Sequence, residues 1–421
     1  MQSKAVKHKK HAIKVAKRTV RGGTSLSAVY KPHFDSYRRL FWLKNVTVIA
    51  LICGLGLSWR LWISSRLFPL SPVSRSLPAL AFPFDYFLFF LLLGLLAVAV
   101  MVAQPRRLMF AVLALAGILS LWDQTRWQPW FYQYYFILAA MAFCGWKKSG
   151  EKNPQVALNG CRLIVIFTYL WGGLQKLNAN FIKETWPDMA GPVLHFLPKA
   201  IEKIPSFAIL TIPFMEVAIA LGLATRKYRN QAAVLAIATH IVILVLLIGS
   251  GENSVVWPWN IAMSIFVVIL FWNNREIGVR YLISGDRFLV LAVLLFGVLP
   301  AFSFVDLWDS YLSASLYSGN TDQAVIYVSP AVIERLPKAI HEHIWQNTQP
   351  YFLDINRWSY GELNAPIYPE PRVYKSVTEY ICKLAGDSAD DVRLRIKDKP
   401  NPFTGVRKSE YYDCKHLDSE P

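Results

Sequence analysis

Lys176, Glu216 and His240 are ionisable residues set inside, or at the end of, long apolar runs. Each needs a partner, a wet cavity or a membrane surface to offset its desolvation. Lys176 closes the apolar run that begins near Leu163, within Tyr169-Leu-Trp-Gly-Gly-Leu-Gln-Lys-Leu-Asn178. A lysine there either snorkels to a bilayer surface or sits in a low-dielectric pocket where its neutral amine is a base. The pair Gly172-Gly173 would let a helix or a ligand approach closely, with Gln175 and Asn178 flanking the amine. Glu216 has no cation four residues away, so its partner must come from another segment, with Lys176 and His240 available. That partnership reads equally as a structural ion pair or as a tuned acid–base pair. His240 follows Thr239 deep in an apolar run, as a hydrogen-bonded core residue or as a group facing a cavity.

Two further segments bring polar groups towards the same depth. Trp122-Asp-Gln-Thr-Arg-Trp-Gln-Pro-Trp130, followed by Gln133, holds Asp123, Arg126 and Gln128. The tryptophans fit an interfacial belt, and Arg126 is a candidate anchor for a carboxylate or a developing oxyanion. The stretch Gly251–Asn260 carries Trp257 and Asn260 into another apolar run. Asp123, Arg126, Gln128, Gln133, Gln175, Asn178, Trp257 and Asn260 are therefore candidate binding residues around Lys176, His240 and Glu216.

The elements that must position them are membrane helices. The 421-residue chain is 54% hydrophobic and 17% charged, where soluble domains carry about 25% charge. Nine apolar runs, near 46–65, 83–104, 107–122, 130–146, 158–177, 205–224, 232–250, 257–273 and 286–304, predict an all-α polytopic membrane protein with about nine transmembrane helices. The net charge of +17 is distributed as a topology signal, with twelve Lys/Arg against Asp35 alone in residues 1–45. Such an arm can meet RNA or anionic lipid, but cytoplasmic retention explains it more simply, and no nucleic acid is expected. Arg106-Arg107, Lys147-Lys148, residues 226–229 and Arg275 through Arg280 fall on the arm's side. This predicts an inner-membrane protein with its N-terminus in the cytoplasm and its C-terminus outside. No cleavable signal peptide is expected.

The domain reading is a basic arm (1–45), a helical membrane domain (46–304) and a small extracytoplasmic domain (305–421). In the last, 383–400 and 402–416 read as loop or weak helix, and 354–372 as a lid over the cavity mouth or as ordinary core. Cys382 and Cys414 are its only cysteines, a candidate disulfide in an oxidising compartment. Cys53, Cys144 and Cys161 read as small hydrophobes within spans. His341 and His343 read as surface residues, and no nucleotide or metalloenzyme motif is present, so no metal is predicted.

Across residues 40–300, the 123–130 segment, the 169–178 segment, His240 and Trp257-Pro-Trp-Asn260 together resemble the vitamin K-dependent gamma-glutamyl carboxylase family and the horizontally transferred transmembrane domain (HTTM) proteins. The resemblance implies that Lys176 is the base that deprotonates a reduced quinone of the vitamin K hydroquinone kind. Oxygen then yields a strong base that abstracts a substrate proton, and carbon dioxide adds. It implies that His240 assists the quinone oxygen chemistry, and that the site opens to the outer side. Three features depart from the family: Gln175-Lys176 stands where adjacent lysines are usual, the Asp123–Trp130 stretch lacks the histidine seen in animal carboxylases, and the terminal section is small. The expected partners are membrane lipid and a peptide or protein substrate on the outer side. Two other readings are a non-catalytic accessory protein for maturation or export of a partner, and a transporter, the latter weakened by the absence of visible repeat halves.

Overall fold

The computed structural model describes residues 26–78, 80, 82–145, 154–196, 205–251, 253–273 and 286–417, with side chains from Asp35 onward. The cationic calls on residues 1–25, Lys147-Lys148 and 275–280 lie outside the described residues. The long elements are α1 (Leu26–Leu57), α2 (Phe84–Met101), α3 (Arg106–Leu121), α4 (Pro129–Ala140), α5 (Pro154–Gln175), α6 (Trp186–Leu194), α7 (Ser206–Ala224), α8 (Arg229–Ser250), α9 (Trp257–Phe271) and α10 (Arg287–Ala292). The turns of α10 continue to Val305 in wider and then tighter form.

Seven helical stretches among the described residues are long and apolar enough to cross a membrane: Asp35–Leu57, α2, α5, α7, α8, Ser254–Phe271 and Arg287–Val305. Their outward faces remain apolar, as with Phe87 and Phe90 on α2 and Ile241 and Val245 on α8. A helix hydrophobic on its outer face and packed on its inner one is a membrane helix. Helices also form at the remaining two expected spans, as α3 and as α4 with its wide turn Met141–Gly145, but both are shorter.

The first apolar helix reaches further towards the N-terminus than the expected boundary at 46. Lys44 lies within it, fully buried, and donates to the carbonyls of Ala99, Val100 and Val102 at 2.8, 3.2 and 2.7 Å. These carbonyls end α2 without helical partners, and a cation there is favoured by the helix dipole as well.

The last section departs from the expectation of loop or weak helix. It holds a five-stranded antiparallel sheet in the order β2-β3-β1-β4-β5. The strands are β1 (Gln323–Tyr327), β2 (Ile344–Trp345), β3 (Phe352–Asp354), β4 (Arg393–Lys397) and β5 (Ser409–Asp413). Residues 383–400 and 402–416, expected as loop or weak helix, supply β4 and β5, with Leu394 opposite Tyr412 and Ile396 opposite Glu410. The alternation Arg-Leu-Arg-Ile-Lys puts Leu394 and Ile396 on the buried face, the period-two pattern of a half-covered strand. Over them lies α12 (Pro371–Ala385), burying Val373, Val377 and Ile381. Cys382 on α12 and Cys414 after β5 form a disulfide, with Cα atoms 5.9 Å apart.

Helix α11 (Ile355–Leu363) is core and docking surface rather than a lid. Trp358 is buried against Phe68, and Glu362 accepts from the backbone N–H of Leu67 and Phe68 at 2.6 and 2.9 Å. His343 is buried beside Gly361 rather than exposed, and His341 is half-buried against the carbonyl of Leu336. Of the cysteines expected within spans, Cys144 and Cys161 are buried and Cys53 is exposed.

Candidate functional site

The site forms where α5 and α7 touch. A Cβ at Gly173 would lie 2.6 Å from the carbonyl oxygen of Pro213, so only glycine permits this approach of the two backbones. The close contact carries Lys176, at the C-terminal end of α5, onto Glu216 of α7. Lys176 Nζ donates to Glu216 Oε1 and Oε2 at 3.0 and 2.8 Å, and to the carbonyl of Gly172 at 3.1 Å. Gly172 leaves the room for this pair, because a Cβ there would sit 3.1 Å from Glu216 Oε2. All three amine donors have acceptors, two charged, and the side chains are only 14% and 8% exposed.

Two turns before Lys176 on α5, the hydroxyl of Tyr169 lies 2.7 Å from His240 Nε2 on α8. His240 Nδ1 lies 2.8 Å from Asn260 Oδ1 on α9. The Asn260 amide is fixed in turn, with Nδ2 donating to the carbonyl of Val256 at 2.9 Å. The Lys176–Glu216 pair and the Tyr169–His240–Asn260 chain face one cavity of about 250 Å³. Its remaining walls are mostly apolar, including Met215 of α7, Leu246 of α8 and Met263 of α9. Phe181 and Trp186 close one side, and Leu316 and Tyr317 of the last section another. Tyr317, like Ala314, holds a positive φ (55° and 58°), a strained backbone that side-chain-bearing residues rarely adopt. The hydroxyl of Tyr317 accepts from Asn253 Nδ2 at 2.5 Å.

Four of the eleven expected site residues thus meet in the cavity: Lys176, Glu216, His240 and Asn260. Gln133 lies behind the wall, accepting from Trp259 Nε1 at 2.7 Å and donating to Thr168 Oγ1 at 2.9 Å, both partners being lining residues. Gln175 and Asn178 point away and tie the end of α5 to the last section. Gln175 donates to Ser303 Oγ and accepts from Asn320 Nδ2, and Asn178 Nδ2 donates to the carbonyls of Gln175 and Ser318. Among the tryptophans, Trp259 lines the cavity and Trp257 does not.

The 123–128 cluster is a scaffold away from the cavity lining. Asp123 pairs with Arg66, and Arg126 is buried over the ring of Trp62, donating to the carbonyls of Leu61 and Leu119 at 2.9 and 2.6 Å. Gln128 Nε2 donates to the carbonyls of Thr125 and Pro366. Arg126 is absent from the cavity lining, and its Nε and Nη1 are committed to those two backbone carbonyls. Tyr169, Trp259 and Tyr317 were missed as site residues, since aromatic side chains in a membrane chain read first as belt or core. Only the position of Tyr169, seven residues before Lys176 and so on the same helical face, signalled its place.

No protein-family model matches this chain, and no curated protein or solved structure matches it either.

Proposed function

We propose that this protein is an integral membrane enzyme of the kind that the 169–178 and 257–260 segments resemble. It would use Lys176 as a base towards a reduced quinone and drive proton abstraction and carboxylation, or a related modification, of an outer-side substrate. One observation carries the reading: a lysine–glutamate pair and a tyrosine–histidine–asparagine chain line the same apolar cavity.

The residues suit a hydroxylated aromatic head group. The walls are mostly apolar and the polar atoms are few and convergent, in a volume just under the ~300–1,000 Å³ of typical small-molecule sites. A reduced quinone would supply acidic hydroxyls and, with oxygen, the oxidative driving force; carbon dioxide would be the added group. Glu216 holds the Lys176 ammonium and is the group to which its proton can pass. The freed amine then accepts a hydroxyl proton, the electron pair staying on the ligand oxygen. His240 steadies the ligand's oxygen through Tyr169. The apolar walls exclude the water that would quench a strong base.

In this reading α3 and α4 complete nine spans within the bundle. The N-terminus lies in the cytoplasm of an inner membrane, and the last section is an extracytoplasmic domain over the cavity. Purified Lys176→Ala should remain folded, bind a reduced naphthoquinone more weakly than the parent chain, and show no quinol-dependent epoxide formation. Full turnover in that variant would end the assignment. A folded parent chain that neither binds nor consumes the quinol would favour an accessory role.

A further inference from the structure

The hydrogen-bond polarity of the second cluster is fixed by its far end. Asn260 Nδ2 is committed to the carbonyl of Val256, so Oδ1 is the atom that faces His240 Nδ1. A carbonyl oxygen only accepts, so His240 Nδ1 carries hydrogen and donates. In the neutral imidazole, Nε2 is then a bare acceptor. Among the described residues, the donor against it is the Tyr169 hydroxyl at 2.7 Å. The phenol proton is therefore spent on His240, and the phenol oxygen has its lone pairs left to offer to the cavity that Tyr169 lines.

We propose that Tyr169 is a catalytic residue: it accepts a hydrogen bond from a second hydroxyl of the ligand and relays that proton to His240. The proposal rests on the reading of the cavity as a quinol site. In the transfer, the ligand O–H bond breaks and an O–H bond forms at Tyr169, while the original phenol O–H breaks and an N–H forms at His240 Nε2. The imidazolium so produced stays hydrogen-bonded to Asn260, and the electron pair stays on the ligand oxygen. No oxidant or reductant enters this step.

Both clusters line the same cavity, and the Gly172 carbonyl that holds Lys176 Nζ belongs to the residue one helical turn after Tyr169 on α5. A flat apolar molecule with a hydroxyl on each of two sides meets both clusters at once. A molecule with one hydroxyl meets only one. Tyr169 thus distinguishes the dihydroxy aromatic from its ether-blocked relative.

The test uses the full chain in lipid nanodiscs under anaerobic conditions, with 2-methyl-1,4-naphthohydroquinone and its dimethyl ether as probes. Quenching of tryptophan fluorescence reports binding, because Trp186 and Trp259 line the cavity. Tyr169→Phe should raise the hydroquinone Kd about five- to tenfold, the loss of one neutral hydrogen bond of ~1 kcal/mol. It should leave the Kd of the dimethyl ether unchanged, which also shows that the variant is folded. Asn260→Ala, which releases the imidazole but keeps the phenol, should show the same selectivity for the hydroquinone with a smaller factor. An unchanged hydroquinone Kd in both variants, with weakened binding in Lys176→Ala, overturns the role of Tyr169 and leaves the functional reading standing. Failure of the parent chain to bind the hydroquinone overturns both.

Discussion

Replacing Glu216 with leucine removes the only carboxylate that the Lys176 amine touches among the described residues. The pair is 2.8 Å apart at its shorter contact, which corresponds to about 6 kcal/mol of attraction at an effective dielectric near 20. Desolvation of both groups cancels part of this, and breaking one side of a buried pair typically costs about 3–5 kcal/mol. Glu216→Leu is therefore expected to lower stability by about that amount, because the ammonium keeps only the Gly172 carbonyl. The double variant Lys176→Met/Glu216→Leu removes both charges at similar volume and should return to within about 1 kcal/mol of the parent, or exceed it. Equilibrium unfolding in detergent, with the two singles and the double as a thermodynamic cycle, measures the coupling directly. A double variant that is stable yet inert towards quinol would mean the pair is kept for chemistry at a cost to the fold. A single variant costing under about 1 kcal/mol, or a double no better than the worse single, would refute the picture of a shielded, mutually dependent pair.

Arg126→Met should destabilise the protein by about 2–4 kcal/mol through the orphaned carbonyls of Leu61 and Leu119, while Kd for the quinol in the folded fraction stays unchanged. Removing the Cys382–Cys414 disulfide, which spans 32 residues, should cost roughly 3–4 kcal/mol, measured as denaturant sensitivity with and without reductant. Burial of Asp322 in the last section pushes its carboxyl up to about 7, with Glu370, Asp306 and Asp398 adding to the rise and Lys399 opposing it. The folded state then binds a proton that the unfolded chain has released, so this group's contribution is full below about pH 4 and is lost as pH rises through 7. Asp322→Asn should flatten that part of the pH–stability profile, and a slope that survives the substitution would assign it elsewhere.

The membrane helices were legible because an apolar run of about 20 residues has few alternatives. Lys176, Glu216 and His240 were legible for the same reason: an ionisable group in such a run stands out, and three of them must find company. Arg126 looked equally reactive in the sequence, but its Nε and Nη1 are taken up by the backbone carbonyls of Leu61 and Leu119. Backbone acceptors are invisible in a sequence, so a structural arginine and a binding arginine read alike. The sheet was illegible because β2 and β3 are two and three residues long, too short for an alternation to register. In β4 the alternation was present, but three cations in five residues masked it.

Leu316 and Tyr317 form a wall of the cavity although they lie about 140 residues beyond Lys176 along the chain. This fixes an order of events during synthesis. When α5 first enters the bilayer the lysine has no carboxylate partner, and when α7 follows the pair still lacks that wall. The chamber closes only after three-quarters of the polypeptide has been made. A chain cut short after the last membrane helix would carry Lys176, Glu216, Tyr169, His240 and Asn260 but lack the wall that Ala314, Leu316 and Tyr317 supply.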